Sequence, residues 1–179
     1  MPDHSNPAWN RLAARALAIA GACAVAVPVA FAAPGDKASV AMKSAEGADL
    51  GQVMLEETPH GVLLHADLHG LPEGTHAFHV HAVGACEPPF KSAGGHFNPS
   101  GAAHGLMSAA GPHAGDMPNI HVGSAGTLNV EIFNSWLAID DKLFDDDGAA
   151  IVIHEGGDDY KSYPAGAAGP RIACGVITK

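Results

Sequence analysis

The sequence predicts an all-β fold, an antiparallel sandwich or barrel, on three observations. Several short segments alternate apolar and polar residues with a period of two, the spacing of a strand with one packed face. Clusters of Gly, Pro and Asp separate these segments, as turns do. No segment shows the 3.6-residue periodicity of a convincing amphipathic helix. Short strands joined by turns favour a sandwich or a barrel.

The N-terminal segment 1–32 is predicted to be a secretory signal peptide. Arg11 and Arg15 precede an apolar stretch over 16–31, which ends in small residues. The stretch is too short for a typical membrane-spanning helix. Its removal leaves residues 33–179 as one domain without a transmembrane segment. We therefore expect a periplasmic or secreted protein.

The cysteines fit the same compartment. Cys23 lies within the predicted signal, which leaves Cys86 and Cys174 in the mature chain. In an oxidising compartment such an even pair predicts a disulfide. A second interpretation makes Cys23 the lipidated first residue of the mature protein, because small residues precede it. The leucine usual three places before such a cysteine is absent, so we expect the unlipidated form.

The charge of the chain is strongly acidic. The full sequence carries a net charge of −10, counting histidine as neutral. The predicted mature chain keeps seven Lys and Arg against eighteen Asp and Glu, a net −11. Such a chain repels phosphate backbones, which excludes nucleic acid as an expected partner.

Seven segments have the alternation or the composition of strands. They are residues 39–43, 51–56, 62–68, 76–81, 128–132, 149–154 and 171–178. In the fourth, every second side chain points to the same face, so His79 and His81 project together and Phe78 and Val80 point to the opposite face. We therefore expect a strand with one packed face and one metal-binding face.

Two long segments, 84–119 and 156–170, interrupt this rhythm. They are rich in Gly, Ala and Pro and lack strand periodicity. Loops of this length in a compact domain are usually functional. The first also contains most of the remaining side chains that bind metals: Cys86, His96, His104, His113 and Asp116. This density predicts a metal site.

One apolar group follows the strand segment 128–132. These residues form either a dimer contact or part of the core, and we favour the core: Phe133, Trp136, Leu137 and Ile139.

A series of short motifs resembles those of the copper/zinc superoxide dismutase family, in its bacterial exported form. In chain order they are GTHAFHVH at 74–81, GGHFNP at 94–99, HG at 104–105, GPHAGD at 111–116, HE at 154–155 and GPRIACGV at 169–176. The match spans residues 40–179. The resemblance implies an eight-stranded antiparallel Greek-key barrel of the immunoglobulin-like sandwich type, with two long functional loops.

The same resemblance implies a metal centre with one copper and one zinc per subunit. It assigns the copper ligands His79, His81, His96 and His154, and the zinc ligands His96, His104, His113 and Asp116. Imidazoles suit Cu(II), and three imidazoles with a carboxylate suit tetrahedral Zn²⁺. Asp158 matches a carboxylate that links His79 to His104, and Arg171 matches an arginine beside the copper. His76 matches a position that is structural in the family. We interpret four further histidines as surface or sheet-face residues, with an accessory copper-acquisition site as the alternative: His60, His65, His69 and His121.

The resemblance also implies the activity. The expected enzyme converts superoxide to dioxygen and hydrogen peroxide by Cu(II)/Cu(I) cycling, with His96 as the shared ligand that takes up a proton and Arg171 as the cation that orients the anion. A homodimer is compatible with the family. The alternative is a redox-inert copper-binding or structural zinc protein of the same fold, which a broken ligand set would favour. Every ligand position of the pattern is occupied.

Overall fold

The structure is a computed structural model that describes residues 35–179, and it consists of nine antiparallel β-strands and a single 3-10 turn within that range. The strands are β1 (Lys37–Ser44), β2 (Asp49–Thr58), β3 (Gly61–Leu68), β4 (Gly74–His76), β5 (Phe78–His81), β6 (Ile120–Val122), β7 (Leu128–Asn134), β8 (Ala150–His154) and β9 (Arg171–Val176). The predicted all-β class is confirmed. The predicted signal peptide 1–32, with Cys23, lies outside the described residues.

Seven of these strands form one sheet in the order β5-β8-β9-β1-β2-β3-β7, and β4 pairs with β6. Three pairs of neighbouring strands are not consecutive in the chain: β3 and β7, β5 and β8, and β9 and β1. The connections therefore cross from one side of the fold to the other. If β4 and β5 count as one strand interrupted at Ala77, the total is eight. The architecture agrees with the predicted Greek-key barrel.

The core follows from the alternation along each strand. On β1, Ala38, Val40 and Met42 are buried, and their neighbours on the strand point outward. Phe78 and Val80 of β5 belong to the same apolar cluster, as predicted from their position between His79 and His81. Burial of this face supplies the main stabilisation of the sheet. It also holds β5, the strand that supplies two of the histidines, at a defined position.

The predicted strand over 76–81 is divided at Ala77. The Ala77 amide donates to Gly156 O at 2.8 Å, and Ala77 O accepts the amide of His154 at 3.0 Å. As a result β4 pairs with β6, whereas β5 pairs with β8. Strand β6 was not predicted, because three residues are too few to show a period.

The two long loops lie where the sequence predicts them. Between β5 and β6 the only regular element is the 3-10 turn Lys91–Ala93, and the chain between β8 and β9 has none. A disulfide joins Cys86 of the first loop to Cys174 of β9, which confirms the predicted pair. No helix within residues 35–179 is long and apolar enough to span a bilayer.

The apolar residues of the segment 133–139 were expected in the core, and only two of them are buried there. Leu137 and Ile139 are buried, as expected. The side chain of Phe133 is 51% exposed and that of Trp136 is 54% exposed, so the core interpretation is wrong for these two aromatics. Both lie outside the packed face of the sheet.

Candidate metal centre

The histidines of the centre come from two neighbouring strands and from the first long loop. His79 and His81 lie on β5, and β5 pairs with β8, which ends at His154. The other edge of β5 is bordered by the loop. There, Val80 exchanges hydrogen bonds with Phe97 and Gly115, and isolated bridges place His96 beside His81 and Asp116 beside His79. The loop thereby continues the sheet across the free edge of β5.

Four buried histidines form the first group. They are His79, His81, His96 and His154, and one ring nitrogen from each lies within 4.8 Å of the others. Their ring centroids are 4.0–6.5 Å apart. The structure thus brings together the four residues that the sequence predicts as copper ligands. Imidazole nitrogens at this spacing are suited to a transition metal.

One nitrogen of each ring in this group has no hydrogen-bond partner. Among the described residues, the buried side-chain nitrogens and oxygens without a partner are His79 Nδ1, His81 Nε2, His96 Nε2 and His154 Nε2. Buried polar atoms are nearly always satisfied. Four unsatisfied nitrogens facing one another therefore fit a bound cation, which accepts all four lone pairs at once.

The opposite nitrogen of each ring is occupied. His81 Nδ1 donates to Gly94 O at 3.0 Å, and His154 Nδ1 donates to Gly169 O at 3.1 Å. His79 Nε2 donates to Asp158 Oδ2 at 2.8 Å. These bonds select the tautomer in which the free nitrogen carries a lone pair. Each ring is thus oriented for coordination.

Burial keeps the rings of His79, His81 and His154 neutral. Desolvation, followed by the proximity of His96 and Arg171, lowers the pKa of His81 from 6.5 to about 2. Desolvation also lowers the pKa of His79 to about 4, against the opposing bond to Asp158, and that of His154 to about 4. A neutral imidazole offers a lone pair to a metal without first losing a proton, so these three rings are ready for coordination at neutral pH.

The second group shares His96 with the first. Its members are His96, His104, His113 and Asp116, all buried, with ligand atoms within 4.8 Å of one another. Asp116 Oδ1 lies 2.7 Å from His96 Nδ1 and 3.2 Å from Nδ1 of both His104 and His113. The other carboxylate oxygen accepts the amides of Gly105 and His113. Three nitrogens and a carboxylate oxygen match a tetrahedral zinc site.

The electrostatics of the second group also fit a cation. Burial alone would raise the pKa of Asp116, but the bonds from His96 and from the Gly105 amide outweigh it and hold the pKa well below its usual value. The carboxylate is therefore charged. Asp116 Oδ1 lies 3.2 Å from His104 Nδ1, and His104 Nε2 is bonded to Asp158. The charged oxygen and this nitrogen are thus placed to bind the same cation.

Asp158 connects the two groups. Its Oδ2 accepts from His79 Nε2 at 2.8 Å, and its Oδ1 accepts from His104 Nε2 at 3.1 Å. Burial would raise the pKa of this carboxyl, but the bonds from His79, Tyr160 and His104 hold it at about 2. One ionised carboxylate thus orients a ring in each group, in the arrangement that the sequence predicts.

Arg171 lies at the start of β9, opposite His154 in the β8–β9 pairing. Its guanidinium donates to Phe90 O and to Gly94 O, both at 2.6 Å. Gly94 O also accepts from His81 Nδ1. The cation is thus half-buried and held by the loop beside two histidines of the first group.

Two of the groups that orient the rings are backbone carbonyls, which could not be predicted from the sequence. Gly94 O and Gly169 O are carbonyl acceptors, which no side-chain pattern reveals. His76 is buried between Pro72 O and His154 O, in agreement with a structural role. The half-buried His65 pairs with Glu131, and the exposed His121 bonds Thr75. In the described part of the chain, the remaining histidines form no third metal-binding group.

Comparisons with known proteins agree with this geometry. A sequence profile of the copper/zinc superoxide dismutase family matches residues 50–177. The chain is 50% identical to Cu-Zn superoxide dismutase 2 of Aquifex aeolicus, over 79% of this chain and 86% of that one. It is 42% identical to the Cu-Zn enzyme of Caulobacter vibrioides, over 78% and 84%. The crystal structure of a SOD-like protein from Bacillus subtilis superposes with a TM-score of 0.70 at 37% identity, covering 77% and 96%.

Proposed function

The chain belongs to the copper/zinc superoxide dismutase family, and from this premise we propose that it is an exported superoxide dismutase. It converts two superoxide anions and two protons into dioxygen and hydrogen peroxide. The observation that carries the proposal is the convergence of four buried, unpartnered imidazole nitrogens from His79, His81, His96 and His154. A structural zinc protein needs no such group of four histidines beside its zinc ligands.

The first group would hold copper and the second would hold zinc. His79 would coordinate through Nδ1, whereas His81, His96 and His154 would coordinate through Nε2, because these are the free nitrogens. His96, His104, His113 and Asp116 would hold zinc. Bound copper supplies one-electron redox chemistry between Cu(II) and Cu(I), which zinc lacks.

His96 is the residue placed to hold a reaction proton. Its Nδ1 faces the second group and its Nε2 faces the first, with no other partner. Nε2 is therefore an atom at which this chain can accept a proton inside the site and release it to the product. Asp158 keeps the neighbouring His79 fixed during this exchange, because its bond to Nε2 leaves Nδ1 free.

Arg171 supplies the positive charge for substrate binding. Superoxide is a small anion, and the chain as a whole carries a net charge of −10. Attraction must therefore come from a local field, and the guanidinium held by Phe90 O and Gly94 O is its source beside the copper group. Its fixed position orients the anion and excludes larger ones.

Export to the periplasm is part of the proposal. Arg11, Arg15 and the apolar stretch over 16–31 support a signal peptide. The Cys86–Cys174 disulfide supports an oxidising compartment.

A homodimer is a further part of the proposal, supported by the two exposed aromatics Phe133 and Trp136. Aromatic side chains are enriched at protein interfaces. Sedimentation of residues 33–179 is expected to show a dimer, and Trp136→Ser is expected to shift it toward monomer. A wild-type monomer at all concentrations would remove this part of the proposal.

The activity is tested by following superoxide decay by pulse radiolysis. Residues 33–179 loaded with copper and zinc are compared with the zinc-only form, and we expect rapid decay only with copper. His154→Ala is expected to abolish turnover while zinc stays bound, because His154 belongs to the first group alone. His121→Ala, which changes an exposed ring outside both groups, is the matched control and should keep full activity.

Two outcomes would contradict the proposal. Decay no faster than in buffer, with both metals bound, would indicate a redox-inert metal protein instead. Full activity of His154→Ala would overturn the copper assignment.

A further inference from the structure

Asn134, the last residue of β7, has a side chain that is buried and fully hydrogen-bonded, with 2% of the residue exposed. Its Nδ2 donates to Ala114 O at 2.9 Å and to Asp116 O at 3.4 Å. Its Oδ1 accepts the amides of Trp136 at 2.8 Å and Leu137 at 3.1 Å. One amide group thus joins the end of β7 to the loop that carries His113 and Asp116.

The 114–116 segment is held from two opposite sides. On the β5 side, Gly115 O accepts the Val80 amide at 2.9 Å, and the Gly115 amide donates to Phe97 O at 2.8 Å. A side chain at Gly115 would collide with Val80 O, so the backbones lie in close contact. On the β7 side, within residues 35–179, the hydrogen bonds to this segment come from Asn134.

This position controls two members of the second metal group. His113 directly precedes the segment and Asp116 is its last residue, and the Asp116 carboxylate contacts all three histidines of that group. If the backbone of Ala114 or Asp116 shifts, the carboxylate and the His113 ring shift with it. Loss of a hydrogen bond that positions a metal ligand typically lowers metal affinity by about 10–100-fold.

We infer that Asn134 is a positioning residue for the zinc site, which it serves by holding the backbone of Ala114 and Asp116. The inference rests on the zinc assignment proposed above. Both loop carbonyls need a donor, and the amide nitrogen of Asn134 is a donor where a carboxylate would be an acceptor. The two loop carbonyls therefore require an amide at position 134, and a polar side chain of the same size without a donor would not replace it.

The test is the substitution Asn134→Asp. It keeps the shape of the side chain and an oxygen for the Trp136 and Leu137 amides, but it places a carboxylate oxygen against the two loop carbonyls. Asn129→Asp, the same change at an exposed position of β7, is the matched control. Zinc affinity is measured by chelator competition, and copper affinity is measured on zinc-free protein. The visible spectrum of Co²⁺ bound in place of zinc reports the coordination geometry.

We expect Asn134→Asp to weaken zinc binding by about tenfold or more and to alter the Co²⁺ spectrum. Copper affinity should fall much less than zinc affinity, because His79, His81 and His154 lie on β5 and β8 and only His96 of the first group is bonded to Asp116. Asn129→Asp should match the wild type in all three measurements. If Asn134→Asp shows no cooperative unfolding, Asn134→Ala takes its place, and the same loss of zinc affinity is expected.

Three results would overturn the inference. One is a zinc affinity of the folded variant within about twofold of the wild type. Another is an equal loss of copper and zinc affinity, which would indicate a general disturbance of the fold. The third is a wild type that binds no zinc, which would also overturn the zinc assignment itself. These results are independent of superoxide turnover.

Discussion

His79 differs from the other three histidines of the first group in the ring nitrogen that it leaves free. Its Nε2 is bound by Asp158, so Nδ1 faces the group, whereas His81, His96 and His154 present Nε2. The same carboxylate binds His104 Nε2 in the second group. One residue therefore sets the orientation of a ring in each metal site.

Asp158→Asn, which replaces one carboxylate oxygen with an amide nitrogen, tests whether this residue orients a ring in each metal site. An amide has one acceptor oxygen, so it satisfies only one of the two Nε2–H donors of His79 and His104. We expect affinity for at least one metal to fall by about 10–100-fold, measured by chelator competition. Asp159→Asn, at the exposed neighbouring position, is the control. Unchanged affinity for both metals in Asp158→Asn would contradict the linking role.

Strand β9 is the element that fixes the first long loop to the sheet. Cys174 binds Cys86 covalently, and Arg171 donates to the carbonyls of Phe90 and Gly94. The Phe90 side chain is buried in a small cluster with Cys174 and Val152. Strand β9 therefore anchors the first long loop at several points, and the loop histidines are held beside the histidines of β5 and β8.

The combined substitution Cys86→Ser and Cys174→Ser tests this anchor. Without the cross-link the unfolded chain gains conformational freedom, so the free energy of unfolding should fall by about 2–5 kcal/mol. Denaturant unfolding of the metal-free protein measures the change. Wild-type protein treated with a reductant should unfold like the variant. A variant as stable as the oxidised wild type would refute the anchoring role.

The whole molecule is acidic, yet its proposed substrate is an anion. At physiological salt the Debye length is about 8 Å, so distant carboxylates contribute little to the potential at the site. The acidic run in the β7–β8 connection is largely exposed, with Asp141, Asp145, Asp146 and Asp147 at the surface. Arg171, beside His154, is close enough to act on the anion.

The stability of the metal-free protein should fall as the pH falls below 6.5. Folding lowers the pKa of His81 to about 2 and those of His79 and His154 to about 4, so the unfolded chain binds protons first. The stability that the neutral rings provide is fully present above 6.5 and is lost as the pH falls toward 4. Asp158, with a pKa of about 2 against 3.8, extends the loss to lower pH.

Denaturant unfolding of the metal-free protein at a series of pH values measures this dependence. His121→Ala, which removes an exposed ring, should show the same slope as the wild type. An unfolding free energy that is constant between about pH 6.5 and pH 4 would contradict the prediction.

The all-β class and most strands could be predicted from the sequence, because these depend on local periodicity, whereas the donor set was implied by the resemblance of the ordered motifs to those of the family. Residues 62–68 alternate as the observed β3 does, and the motif residues supply both metal groups. The break at Ala77 could not be predicted, because it depends on bonds to Gly156 and His154 far along the chain. The exposure of Phe133 and Trp136 likewise depends on which face of β7 the core covers.

By itself, the sequence determined which side chains this protein has for binding two metals and which strands and loops carry them. The tertiary structure decided which nitrogen of each histidine is free, because the carbonyls of Gly94 and Gly169 and the carboxylate of Asp158 reach the rings only in the folded chain. It also decided that Asn134 contacts the loop at Ala114 and Asp116. Hydrogen bonds between residues distant in sequence leave no periodic pattern, and only packing brings their partners together.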